Sequence, residues 1–190
     1  MPETLTDGVI RKLWIDRAGP YRDHLLRLDA DSRRSRFGEA VSDAFITNYI
    51  ELSLGLDAVI HGFFVDGVLR GVAELRPLGA SLPEEAEAAF AIEKPWQSHG
   101  VGTALLERTL LAARNRGIKL LHMACLANNQ RMIDLARKFE AELKFDFGSV
   151  VGEVDPPRST ALSLMREAMV DGHSVAAAVF EAQTKLFRPV

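Results

Sequence analysis

Hydrophobic and polar positions divide the chain into short strand-like runs and longer helical ones. Val9 to Ile15 reads as a first strand. Pro20 to Leu28 sets Tyr21, His24, Leu25 and Leu28 on one face at helical spacing, and Asp43 to Leu54 predicts a second helix. Between them lies the polar, basic stretch Asp31 to Phe37. Ala58 to Val65 and Val68 to Leu75 read as strands joined by Asp66-Gly67, a dipeptide suited to a two-residue hairpin turn. A loop, Pro77 to Pro83, leads to a fourth strand, Ala86 to Ile92.

The second half follows the same logic. A helix is expected from about Gly100 to Arg116, with basic residues in its last turn and Gly117 as its stop. Lys119 to Leu126 is apolar enough for a central fifth strand. Asn128-Asn129 offers an N-cap, and Met132, Leu135, Ala136 and Phe139 follow at amphipathic spacing. Leu143 to Phe147 and Val150 to Val154 read as strands broken by Gly148. Helical stretches at Thr160 to Met169 and Ser174 to Leu186 are separated by Asp171-Gly172. The order predicts an α/β or α+β sheet covered by helices, with a parallel crossover between the fourth and fifth strands.

Composition narrows the function only broadly. With 190 residues, 47% hydrophobic and 26% charged, one domain with an appendage is expected. The net charge of −3 argues against bulk nucleic-acid binding, and the cluster Arg33, Arg34 and Arg36 reads as a solvated helix face. A single cysteine, Cys125, excludes an intrachain disulfide, and its apolar run suggests a core position. The five histidines show no metal-ligand spacing. No signal peptide or membrane-spanning run is seen, so a cytoplasmic protein is the expectation.

The chemistry concentrates in Gln97-Ser98-His99-Gly100-Val101-Gly102-Thr103, between the fourth strand and the long helix. Strand, glycine turn and helix N-terminus together form a diphosphate cradle, because the first helical N–H groups lack intrahelical partners and carry partial positive charge. The stretch is no P-loop, since no Gly-Lys-Ser/Thr follows, and a poor dinucleotide fingerprint, since one glycine is missing. From these residues alone, glycines that merely shape the turn remain an equal reading.

Three linked motifs turn this into a resemblance. Gln97-x-x-Gly100-x-Gly102, preceded by Ala86-Glu87-Ala88-Ala89-Phe90 and followed by Asn129-x-x-Met132-x-x-Leu135, resembles the GNAT family of acetyl-CoA-dependent N-acetyltransferases over roughly Val9 to Val154. The resemblance implies a mixed, largely antiparallel sheet splayed between the fourth and fifth strands, with helices on both faces and a C-terminal helical extension over 155–190. It implies that Gln97 and the backbone from Ser98 through His99, Gly100, Val101 and Gly102 to Thr103 meet the CoA pyrophosphate. Phe90, Ala91 and Ile92 would border the pantetheine arm, and Asn129 would contact it or cap its own helix. Glu87 is the implied general base, with Glu85 in reserve and Glu84 adding to an acidic entrance. No metal is implied.

The chain also departs from that family. Ala136 stands where many members carry a tyrosine that protonates the leaving thiolate, and Glu140-Ala141 stands for Gly-Phe. Ser32-x-x-x-Arg36-Phe37 is similar to a region of the GNAT domains of bacterial protein lysine acetyltransferases. The resulting expectation is acetyl transfer to a primary amine, narrowly favouring a protein lysine. A small amine as acceptor, or a non-catalytic acyl-CoA-binding module, stays open. The apolar faces of the C-terminal helices (Ala176, Ala177, Val179 and Phe180) suggest packing on the chain's own core ahead of packing on a partner subunit, which leaves a monomer or a homodimer open.

Overall fold

The computed structural model describes residues 8–14, 18–53, 58–79, 84–146 and 148–172. The strands are β1 (Val9–Leu13), β2 (Val59–Val65), β3 (Val68–Leu78), β4 (Glu85–Ile92), β5 (Leu120–Leu126), β6 (Glu142–Asp146) and β7 (Ser149–Val154). They form one sheet in the order β1-β2-β3-β4-β5-β7-β6, and every neighbouring pair is antiparallel except β4 with β5. The helices are α1 (Ala18–Arg27), α2 (Ala30–Phe37), α3 (Asp43–Ser53), α4 (Val101–Asn115), α5 (Gln130–Lys138) and α6, residues 161–172.

Strand alternation gives the sheet two apolar faces. Ile60, Phe64, Leu69 and Val72 meet Tyr21, Leu25, Ile46 and Ile50 of α1 and α3. On the other side Val59, Leu75, Ala86, Ala88 and Leu121 meet Leu106, Ala112 and Ala113 of α4. Burying each large aliphatic side chain contributes about 1.5–3 kcal/mol, so the helices are held mainly by these faces. Asp66 and Gly67 both adopt positive φ (50° and 73°), as a two-residue hairpin turn requires.

Several boundaries differ from the sequence reading. The first strand ends at Leu13, and Ile15 lies outside the described residues. Pro77 belongs to β3, where it pairs with Ala86, while residues 80–83 of the expected loop are not described. The basic stretch is a helix, α2. The Asp29 side chain accepts from Ser32 N at one end, and Gly38 closes the other in the left-handed conformation (φ 81°). Arg34 is exposed, as a solvated face requires, but Arg33 and Arg36 are not part of such a face. Arg33 donates to the carbonyls of Leu26 and Leu28 and to Asp43, and Arg36 turns inward. Asp171 and Gly172 continue α6 instead of ending it. The stretch Ser174 to Leu186, like Leu54 and Phe147, lies outside the described residues.

α6 is tied to the end of α4. Asn115 donates to Ser163 O and to Glu167, and Arg116 pairs with Glu167 at 2.8 Å. Leu162, Leu164, Met165 and Met169 remain exposed.

A second tie joins α1 to the sheet. Glu93, after β4, accepts from Arg27 (2.9 Å) and Arg70 (2.9 Å) and lies 3.2 Å from His24 Nδ1. Burial pushes the Glu93 carboxyl up, but these three partners outweigh it and bring it down to about 2. Its ordinary value is 4.5, so the stabilisation is complete above that pH and is lost as pH falls toward about 2. We expect Glu93→Gln to destabilise the fold by about 2 kcal/mol at pH 6.5, from lost charge-assisted bonds. Urea denaturation at a series of pH values should show that difference shrinking as pH falls from 4.5 toward about 2, because the carboxyl gains its proton first in the unfolded chain and only near about 2 in the folded one.

Candidate functional site

The glycine turn is shaped by two left-handed residues, Ser98 (φ 62°) and Gly100 (φ 77°). Gly100 is the N-cap of α4 and supplies no side-chain cap, so the first amides of a 15-residue helix are left for another acceptor. The Gln97 amide fixes the turn from behind, donating to Ile92 O at 2.8 Å and reaching Ser32 Oγ at 3.4 Å. Trp96, one residue earlier, packs edge-on against Phe63 of β2.

Next to this turn the sheet opens. β4 and β5 pair only at Glu85↔Leu120, Ala86↔Leu121 and Glu87↔His122, although both strands run on. Beyond Glu87, β4 follows β3 as far as Ile92, while β5 follows β7 as far as Leu126. The gap is a cavity of about 580 Å³. Ala89 to Ile92 line one wall, Ala124 and Cys125 the other, and the glycine turn and α5 close the end. Cys125 is thus both buried, as expected, and cavity-lining; burial pushes its thiol up.

On the α1–α3 side of β4, Glu87 projects into the same cavity. Among the described residues, no hydrogen bond or ion pair holds its carboxylate. Its cross-strand partner on β3 is Arg76, and two residues along, Glu74 sits opposite Ala89. Glu74 is buried, at 1% exposure, and is the centre of a polar cluster. Tyr21 donates to it at 3.0 Å, Arg36 at 2.7 Å and Arg76 at 2.7 Å, and the Tyr49 hydroxyl completes the set. Tyr49 in turn accepts from Arg36 (2.6 Å) and Arg76 (2.9 Å). Burial pulls the Glu74 carboxyl up, but Arg36, Tyr49 and Arg76 outweigh it and hold it below the usual carboxylate range. Burial and the Glu74 charge push the Tyr21 phenol well up, so it remains a donor.

The structure brings together Glu87, Phe90, Ala91, Ile92, Gln97, Ser98, Gly100, Gly102, Thr103 and Asn129 around this one cavity. Asn129 also caps α5, its Oδ1 accepting from Met132 N at 3.3 Å. Two side chains from the predicted set lie elsewhere. Val101 is buried with Phe63 and Ala73, and His99 is exposed with Nδ1 2.6 Å from Gln97 O. The reserve carboxylates are engaged outside the cavity: Glu85 binds His122 at 2.9 Å, and Glu84 pairs with Lys119. The acidic groups on the cavity wall are instead Asp29, Asp31 and Asp134 together with Glu87. Sequence reasoning missed Glu74, Tyr49 and Arg76. The available signal was one carboxylate inside the apolar run Val72-Ala73-Glu74-Leu75. It also missed Arg131 and Lys138, the basic residues of α5 on the cavity rim. Among the described residues there is no group of metal-ligating side chains and no helix long and apolar enough to cross a membrane.

Comparison with known proteins agrees with this geometry. The family model described as the acetyltransferase (GNAT) family matches residues 23–140, more than half of the chain. Among solved structures, the GNAT domain of S. lividans PAT is 24% identical with a TM-score of 0.68, over 77% of this chain and 89% of that one. The yncA protein of Salmonella typhimurium, solved with acetyl-CoA, is 16% identical with a TM-score of 0.60, over 82% of this chain and 98% of that one. The paia N-acetyltransferase of Thermoplasma acidophilum, solved with coenzyme A, is 17% identical with a TM-score of 0.59, over 79% and 99%.

The two glycines of the turn have different jobs, and substitution separates them. Gly100 needs its positive φ, so Gly100→Ala should cost about 1–2 kcal/mol. At Gly102 an added Cβ meets Leu135 and Ile92 at 3.5 and 3.6 Å, ordinary contact distances, so Gly102→Ala should be close to neutral. Urea denaturation of the two variants checks this order.

Proposed function

The chain belongs to the acetyltransferase (GNAT) family, and we propose that it moves the acetyl group of acetyl-CoA directly to a primary amine, with a protein lysine as the favoured acceptor. The observation that carries this reading is the single cavity in which an uncapped helix N-terminus, a parted strand edge and an unpaired carboxylate meet. The residues present fit acetyl-CoA. Amides from Ser98 to Thr103 would hold the pyrophosphate, with Arg131 and Lys138 as nearby cations. The edge of β4 from Phe90 to Ile92 would bind the pantetheine amides, since β5 does not take up its hydrogen bonds there.

The transfer then requires little else. A lysine-like amine, with an ordinary pKa near ~10.4, must lose a proton before it attacks. Glu87 accepts that proton before the attack; the neutral nitrogen then bonds to the carbonyl carbon as the carbon–sulfur bond breaks, and the nitrogen's second proton passes to the departing thiolate or to water. The thiolate leaves without a side-chain acid, because a thiol of pKa near ~8.5 is a competent leaving group at neutral pH. The absence of a hydroxyl at Ala136 is therefore compatible with turnover. That side chain is buried and faces Gly152 of β7. A lysine acceptor is supported by the carboxylates Asp29 and Asp31, which line the same cavity as Glu87 and favour a cationic amine, and by the Ser32 to Phe37 similarity.

Glu87→Gln should keep acetyl-CoA binding and reduce turnover roughly 10²–10⁴-fold near neutral pH. The deficit should narrow as pH approaches the amine's own pKa; a small, pH-independent loss would remove Glu87 from the reaction. Gly102→Val, whose branches press on Ile92 and Leu135 at the cavity wall, should weaken acetyl-CoA binding at least tenfold by calorimetry, about 1.4 kcal/mol. Incubating the protein with radiolabelled acetyl-CoA and a cell extract identifies the acceptor class. Labelled protein bands above a heat-killed control support a lysine. Label confined to small metabolites would assign a small amine, and no transfer at all would leave an acyl-CoA-binding module.

A further inference from the structure

Glu87 lies in register with Arg76 across β3 and β4, on the same face of the sheet. Directly opposed side chains in an antiparallel pair have Cβ atoms about 4.5–5.5 Å apart, an easy reach for a guanidinium. The default partner of Arg76 is therefore Glu87. Arg76 instead turns along its own strand to Glu74 (2.7 Å) and across to Tyr49 (2.9 Å). A second guanidinium, Arg36, which reaches the wall of the cavity from α2, is drawn to the same carboxylate. Resting on the reading of Glu87 as the base, we propose that Glu74 is a positioning residue for the transfer: it holds the Arg76 guanidinium away from Glu87 and so leaves the Glu87 carboxylate free to take the proton of the amine.

Three features support this. A carboxylate buried as deeply as Glu74 is costly unless fully partnered, and here four side chains converge on it. Tyr21, from α1, spends its hydroxyl on Glu74, donating to the same carboxylate oxygen that Arg36 holds. The cluster also explains the Ser32-x-x-x-Arg36-Phe37 similarity. Ser32 meets Gln97, Arg36 meets Glu74, and Phe37 packs edge-on against Phe45 and Tyr49. In register with Glu87 lie Arg76 on β3 and His122 on β5. The charged groups lining the cavity with it are Asp29, Asp31 and Arg36 at α2, Lys94, and Arg131, Asp134 and Lys138 on α5. Tyr49 from α3 bridges Arg36 and Arg76. His122 is turned to Glu85 and lies 3.9 Å from Glu153.

Direct titration of Glu87 tests the proposal without acetyl-CoA or an acceptor. In the full-length protein carrying ¹³C-labelled glutamate, the Glu87 carboxyl resonance is assigned by its loss in Glu87→Gln and followed against pH. In Glu74→Gln the released Arg76 pairs with Glu87, and its titration midpoint should fall by at least about one pH unit. Adding Arg76→Gln to that variant should restore most of the fall, which loss of a merely structural carboxylate would not allow. Arg76→Gln alone, with Glu74 still partnered by Arg36 and the tyrosines, should move the midpoint by less than about one pH unit. That arm decides the matter if Glu74→Gln does not fold. A Glu87 midpoint unmoved or raised by Glu74→Gln, an unrescued fall in the double variant, or a full-unit rise on Arg76→Gln alone would overturn the proposal. Whether Glu87 is the base at all is read separately, from the turnover of Glu87→Gln.

Discussion

The parting of β4 from β5 is the constraint on which the rest depends. Each strand has one faithful neighbour: β4 stays in register with β3 over eight residues, and β5 with β7 over six. Only three residues join them to each other. The two halves of the sheet therefore diverge from a short hinge of parallel pairing. Backbone groups that would have closed the sheet face a cavity instead, where a ligand or water must satisfy them. The glycine turn lies at the mouth of the gap because β4 ends there. α4 starts there because Gly100 takes the left-handed conformation that turns the chain. A sheet paired fully across this seam would have no room for a ligand between the strands.

The second requirement is electrostatic. The cavity wall mixes both signs: α5 brings Arg131, Asp134 and Lys138, and Asp29 and Asp31 at the start of α2 share the wall with Lys94. Within this mixture Arg36 and Arg76 are both drawn to Glu74. Each pair buried there is expensive to desolvate, so the cluster is weak support for stability as such. Its value lies in fixing which carboxylate is paired and which is open.

Much of the architecture was legible in the sequence because it follows from periodicity. The strand runs, the Asp66-Gly67 hairpin, α4 with its Gly117 stop and the Asn129 cap all come from local patterns the structure keeps. The glycine turn was legible as a turn opening a helix for the same reason. The bounds and ties of α2 were not legible because it has no apolar stripe: none of its residues is buried, and it is held by caps and by arginines bonded to neighbouring elements. The Glu74 cluster was illegible because it joins α1, α2, α3 and β3 across as many as 53 positions of sequence. No local pattern says which arginine meets which carboxylate. Glu84 and Glu85 show the converse. Their spacing suggested an acidic entrance, but Lys119, just before β5, pairs with Glu84, and His122 on β5 bonds Glu85.

The departures on α5 form a physically coherent set. Ala136 lies so close to β7 that a Cβ built on Gly152 would come within 3.2 Å of its own Cβ. A large residue at 136 would have to leave this contact, and any side chain at 152 would force the helix outward. A small residue at each position brings α5 down onto the sheet, where Ile133 packs with Val150 and Cys125. The connection to β6 keeps its left-handed turn, with Glu140 at φ 58° in place of a glycine, which costs about 1–2 kcal/mol. The fold meets that cost because the turn sets the entry of β6 beside β7. Close packing of α5 thus replaces a hydroxyl-bearing side chain. In the proposed transfer that hydroxyl is dispensable, because breaking a thioester releases a stable thiolate, whereas forming the amide needs a deprotonated amine. The chemical demand would then fall on proton acceptance, the role proposed for Glu87.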